Sequence, residues 1–169
     1  YSASKAAADH LVNSYARTYG AKCIITRCTN NFGPFQFPEK LIPKTIIRAQ
    51  KNLKVPLFGD GNQTRDFVHI NDLVDAIVKS AEKGRNGEVY NVGGRVEWEM
   101  DIKQYSDIVL KVTGKDDSLV EYKDAEAFTT KIKTVDFSRA IRDLKHNPVI
   151  EPEEGIRRTA EWMTNFYKL

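Results

Sequence analysis

Tyr1 and Lys5, in the string YSASK, are the pair in this chain best suited to chemistry. On a helix, residues four apart share one face. An ammonium held there would favour the phenolate and lower the tyrosine pKa toward neutrality. Tyr1 would then serve as a general base for a sugar or alcohol hydroxyl. Solvated helices also carry this spacing without any catalytic role, so other residues must support the reading. Arg65 is the strongest single ligand candidate, because its planar fork matches phosphate oxygens and it follows a Gly-Asp-Gly-Asn turn. A surface salt bridge to Asp60 or Asp66 is the plainer alternative. Asn30 and Asn31 offer paired donors and acceptors for a sugar or diphosphate, or simply form a turn. Gly93 and Gly94 would permit close backbone approach to a ligand.

These residues need elements to position them. Ala8, Leu11, Val12, Tyr15 and Tyr19 recur at helical spacing and predict a helix over 3–19, with Gly20 as its stop. KCIITRC at 22–28 reads as a short, mostly buried strand. Residues 29–38 read as a loop. A helix is expected over 41–52, with Pro43 in its first turn. Strands are expected at 55–58, 64–70 and 88–92. Asn71 or Asp72 would cap the helix after the second of these. Asp101 would start a helix whose face carries Ile102, Tyr105, Ile108, Val109 and Val112. Strand-like stretches follow at 119–122 and 132–135, around a polar loop or mobile segment at 123–131. Ser138 would cap a helix to Leu144. A last amphipathic helix would present Ile156, Ala160, Met163 and Tyr167, with Phe166 beside them. Helices alternating with strands imply an α/β fold.

The 169 residues suffice for one compact core, with 41% hydrophobic and 29% charged content. Net charge is +3, from 26 Lys and Arg against 23 Asp and Glu, and the basic residues are dispersed. That dispersion argues against a nucleic-acid partner. No apolar run approaches the 18 residues of a membrane span. Cys23 and Cys28 read as buried, reduced thiols, which suits a cytoplasmic setting. His10, His69 and His146 lie in unrelated segments, so no metal site is expected.

The order YSASK, NNFGPFQFPEKLIP, PLFGDGNQTRDFVHINDLVDAI, GEVYNVGG and EEGIRRTAEW resembles the extended short-chain dehydrogenase/reductase superfamily. Within it the chain is most similar to the dTDP-glucose 4,6-dehydratases, from Tyr1 to about Trp162. The resemblance implies the C-terminal part of a Rossmann fold plus a small mixed α/β substrate-binding domain. Residues 1–32 would be the residual Rossmann helix and strand. Residues 33–169 would bind a nucleotide-diphosphate sugar, with interleaved Rossmann elements near 64–92.

It further implies Tyr1 and Lys5 as catalytic and NAD-binding, with Asn30 also toward NAD. Asn31, Lys40, Leu41, Phe58, Arg65 and Arg95 would bind substrate, Phe58 by stacking on the base. The family's glycine-rich dinucleotide fingerprint and its acidic pair for water elimination do not occur here and would lie upstream, so this portion would be inactive alone. The chain also departs from the family at Arg95, where Asn is common. It departs again at 124–141, where an Arg-Pro-Gly-His-Asp-like loop is replaced and Lys131 or Lys133 could supply the cation. A UDP-sugar 4-epimerase or decarboxylase fragment, or a non-catalytic nucleotide-sugar-binding remnant, is the alternative. A homodimer or larger assembly is expected through helix 1–19 and an exposed sheet edge.

Overall fold

A computed structural model describes every residue except Glu126 and Phe128. The expectation of a polar loop at 123–131 therefore falls partly outside the described residues. Helix α1 (Ser2–Tyr19) ends at Gly20 in the left-handed conformation, φ 65°. It is followed by β1 (Ile25–Cys28), β2 (Asn30–Phe32), α2 (Leu41–Gln50), β3 (Val55–Phe58), β4 (Thr64–Arg65), β5 (Phe67–His69) and α3 (Ile70–Lys83). Then come β6 (Val89–Val92), β7 (Met100–Asp101), α4 (Ile102–Val112), β8 (Val120–Lys123), β9 (Ile132–Lys133) and α5 (Pro152–Tyr167). A π-helical turn, Ala140–Leu144, precedes α5.

The strands pair across long sequence separations. β1 runs parallel to β6, with Ile25 opposite Val89, and β2 runs parallel to β5, with Asn30 opposite Phe67. β3 and β8 are parallel, while β4 lies between antiparallel β7 and parallel β9. Parallel pairs require crossovers, and α2 and α3 supply them. This is a mixed α/β, Rossmann-type architecture.

Three strand expectations change. The strand expected to be mostly buried at 22–28 is β1, Ile25–Cys28, and only Ile25 is buried, because β1 pairs on one side only. The 29–38 loop contains a strand, β2, because Asn30–Phe32 finds a partner in β5. The expected 64–70 strand breaks at Asp66, which buries its carboxylate and sends β4 and β5 into different sheets.

The helix starts show how local chemistry decides boundaries. Asp101 caps α4 in a reciprocal box, accepting from the Gln104 backbone N–H while the Gln104 side chain accepts from the Asp101 N–H. At α3 the cap is His69, whose Nδ1 accepts the Asn71 N–H at 3.3 Å, so the helix begins earlier than Asn71 or Asp72 would dictate. Asp72 instead accepts the backbone N–H groups of Val149 and Ile150 at 3.2 and 3.0 Å. Ser138 is not a cap either. Its own N–H is taken by Asp136 at 2.8 Å.

The main core joins α2, α4 and α5 to β2 and β5. Phe32, Ile42, Ile46, Phe67, Val109 and Met163 are buried there. Each fully buried aliphatic or aromatic side chain contributes roughly 1.5–3 kcal/mol. In α5 the inward face is Ile156, Ala160 and Met163, as the spacing predicts. Phe166 and Tyr167 are exposed, off the buried face of α5, and their rings pack on Trp162 and on each other. α1 contrasts with both α4 and α5: none of its residues is buried. The thiols also depart from expectation. Both are free, but Cys28 is exposed and Cys23 half-buried, because β1 has a partner on one side only. No helix is long and apolar enough to cross a membrane, among the described residues.

Candidate nucleotide-sugar site

Four elements converge on a cleft of about 260 Å³. Asn30 comes from β2, Leu41 from the first turn of α2, Phe58 from the end of β3 and Arg65 from β4. Gln63 also lines this cleft and donates to the Phe58 carbonyl at 3.0 Å, fixing the turn after β3. Gly59 and Gly61 make that turn with φ of 64° and 76°, values that a side chain disfavours.

Phe58 is partly exposed here rather than buried in the core. Its ring is therefore available to a flat ligand. Arg65 uses Nη1 on two carbonyls, Thr64 at 2.7 Å and Lys131 at 3.5 Å. It forms no ion pair among the described residues, so neither Asp60 nor Asp66 neutralises it. The partner carbonyl of Lys131 and the pairing of Arg65 with Lys133 place the 131–133 segment beside it. The backbone of this segment thus positions the arginine.

Other sequence-derived candidates lie elsewhere. Asn31 and Lys40 line a second cavity of about 760 Å³ with Phe35 and Phe37. Asn31 is tied locally, its carbonyl accepting from Gln36 at 2.7 Å. Lys40 is exposed beside Glu39. Tyr1 and Lys5 sit on a third cleft of about 630 Å³ between α1 and β1, together with Asp9, Arg27 and Cys28. Lys5 Nζ stands 5.6 Å from the Tyr1 ring centroid, and Tyr1 is 93% exposed. Asn30 is thus separated from Tyr1 and Lys5, with which sequence reading had grouped it.

Arg95 is already committed. Its Nε donates to the Pro148 carbonyl at 2.9 Å and its Nη2 to Asn147 at 3.0 Å, and its guanidinium lies over Trp98. It fastens the 147–148 segment and does not line the Arg65 cleft. The glycines before it also serve an internal purpose. A Cβ on Gly93 would lie 2.3 Å from Asp66 Oδ2, and one on Gly94 2.7 Å from Oδ1. The close approach permitted by these glycines is that of Asp66, whose carboxylate accepts the Gly94 N–H. Burial pushes the Asp66 carboxyl above its ordinary range, with the Gly94 hydrogen bond opposing.

A dinucleotide cofactor needs a glycine-rich loop between a strand and a helix to cradle its pyrophosphate. The only Gly-x-Gly of this chain, at Gly59–Gly61, is instead a turn between β3 and β4. These residues therefore do not provide a pyrophosphate site for NAD.

Sequence reading missed Lys44, Thr45 and Arg48, which line the cleft from α2. The signal was present: with Leu41 they fall at i, i+3, i+4 and i+7, one helical face.

The architecture is a Rossmann-type α/β fold, and solved structures of known enzymes share it. Residues 1–93 match the NAD dependent epimerase/dehydratase family, and the chain belongs to that family. It is similar to dTDP-glucose 4,6-dehydratase 1 of Escherichia coli (strain K12), 37% identical, covering 96% of this chain and 46% of that protein. The corresponding protein of Xanthomonas campestris is 39% identical, covering 98% and 49%. The chain spans about half the length of these relatives. Among solved structures, dTDP-glucose 4,6-dehydratase from Bacillus anthracis in complex with NAD superposes with a TM-score of 0.90 at 34% identity, over 99% of this chain and 53% of that one. UDP-glucose 4-epimerase with UDP-glucose from Thermotoga maritima gives 0.91 at 28%, over 99% and 54%.

Proposed function

We propose that this chain is the nucleotide-sugar-binding portion of an NAD-dependent dTDP-glucose 4,6-dehydratase. The observation that carries the reading is the convergence of Leu41, Phe58 and Arg65 on one cleft from three separate elements. Phe58 stacks on the base, contributing roughly 1–3 kcal/mol. The Leu41 backbone, at the start of α2, meets the base edge. Arg65 holds the diphosphate by charge-assisted hydrogen bonds. Tyr1 accepts the proton of the sugar hydroxyl that is oxidised, and Lys5 supports it. NAD, when bound, supplies the hydride acceptor.

Gly59–Gly61 is a turn between strands and not a dinucleotide cradle, so the chain alone is expected to bind and not to turn over. Asn31 is assigned to the ligand as well, and Lys40 to the base beside Leu41, both from the neighbouring cavity. α1, with an exposed face of Leu11, Tyr15 and Tyr19, is the proposed surface for a second copy. A UDP-sugar epimerase remains the second reading, favoured by the equal fit to the Thermotoga maritima enzyme.

Calorimetric titration with dTDP, UDP and NAD in parallel tests this. Binding of dTDP in preference to UDP, with no NAD binding, is the expected result. Preference for UDP supports the epimerase reading, and binding of neither nucleotide removes the substrate assignment.

A further inference from the structure

The cleft that holds Phe58 and Arg65 has a second basic wall. Lys44 and Arg48 both line it from α2. They are four residues apart, about 6 Å along the helix axis. Among the described residues that line the cleft, three are cationic and none is acidic. Arg48 donates its Nε to the Lys54 carbonyl, which anchors the side chain at the turn between α2 and β3. Its two Nη groups, and Lys44 Nζ, have no protein hydrogen-bond partner among the described residues. Ordinary surface cations on a helix pair with carboxylates one turn away, as Lys79 does with Asp75 and Lys103 with Asp107. In α2 the residue one turn before Arg48 is Lys44 itself, so the helix places two like charges on the face that Leu41 and Thr45 also present. Like charges so placed repel one another. An anionic ligand lying against this face relieves that repulsion.

We propose that Lys44 and Arg48 form a second anion-binding wall of this cleft. With Arg65 contributing from β4, the ligand is held from two sides, and the chemical class it selects is one that carries a diphosphate. The inference rests on the nucleotide reading of the cleft only for the identity of the group attached to that diphosphate.

The experiment is calorimetric titration of the chain with inorganic pyrophosphate and, separately, with dTDP. The proteins compared are wild type, Lys44→Met, Arg48→Met and Lys83→Met. Lys83 lies in the last turn of α3, away from the cleft, and controls for loss of one charge. Wild type is expected to bind pyrophosphate. Lys44→Met and Arg48→Met are each expected to weaken it by about tenfold, the value of one hydrogen bond to a charged group. Lys83→Met is expected to stay within about twofold of wild type, a change in keeping with a distant screened charge. Lys44 makes no structural contact that would unfold the chain, so its variant carries the test if Arg48→Met loses its helical signal.

Pyrophosphate binding unchanged in both α2 variants, or absent in wild type, overturns the proposal. The dTDP arm separates the two readings. Pyrophosphate binding that responds to the α2 substitutions, with dTDP binding no tighter, upholds the wall and removes the nucleotide. Preferential dTDP binding that ignores both α2 substitutions upholds the nucleotide and removes the wall.

Discussion

α1 and α5 are both long helices with apolar residues at helical spacing, α1 the less sharply two-faced, and they have opposite fates. α5 buries Ile156, Ala160 and Met163 against α2, α4 and β5. α1 buries nothing, and Leu11, Tyr15 and Tyr19 remain exposed. Amphipathicity states what a helix is able to bury. Whether it does so depends on a second surface, and α5 has three while α1 has only the edge of β1. The two candidate functions divide along the same line. The Phe58–Arg65 cleft is built on the packed side, whereas Tyr1 and Lys5 sit on the open side.

If this contrast is correct, substitutions of similar size will have unequal costs. Met163→Ala, at a fully buried position, is expected to cost roughly 2–5 kcal/mol. Chemical denaturation measures it, and a loss below about 1 kcal/mol would mean that α5 is packed no better than α1. Gly93→Ala should come next, at roughly 1–3 kcal/mol, because the added Cβ meets the buried Asp66 carboxylate. Pairing it with Asp66→Ala should recover part of that loss if the contact is the cause.

A smaller effect concerns pH. His69 is buried, and desolvation holds its pKa below the ordinary value of 6.5. The unfolded chain then binds more protons than the native one in the interval between the two values. Stability should rise with pH through that interval and be lost as pH falls from 6.5 toward the folded value. His69→Gln should flatten this slope in a melting series, and an unchanged slope would assign the acid sensitivity to other groups. Smallest of all should be Leu11→Ala, within about 0.5 kcal/mol of wild type. Its visible consequence would be weaker self-association in light scattering. A stability loss comparable to that of Met163→Ala would show that α1 is packed after all.

Much of the packed side was legible in the sequence. The α4 cap at Asp101, the buried stripe of α5 and the Gly59–Gly61 turn are local, and local hydrogen bonding or periodicity determines them. That Phe58 and Arg65 stand close together was also readable, since only a short turn separates them in sequence, and both line one cleft. Lys44 and Arg48 are recoverable from helical spacing, since they share a face with Leu41. Arg95 could not be judged locally, since its partners Pro148 and Asn147 are more than fifty residues away.

The sequence by itself determined the helices, most strand positions and the α/β class. Those follow from interactions over a few residues. The tertiary structure decided that Asp66 splits a strand, that Gly93 and Gly94 make room for its carboxylate, and that Asn30 and Asn31 face different cavities. It also decided that α1 stays uncovered. Each of these depends on which distant surface arrives opposite, and pairing over long separations is written in no single segment.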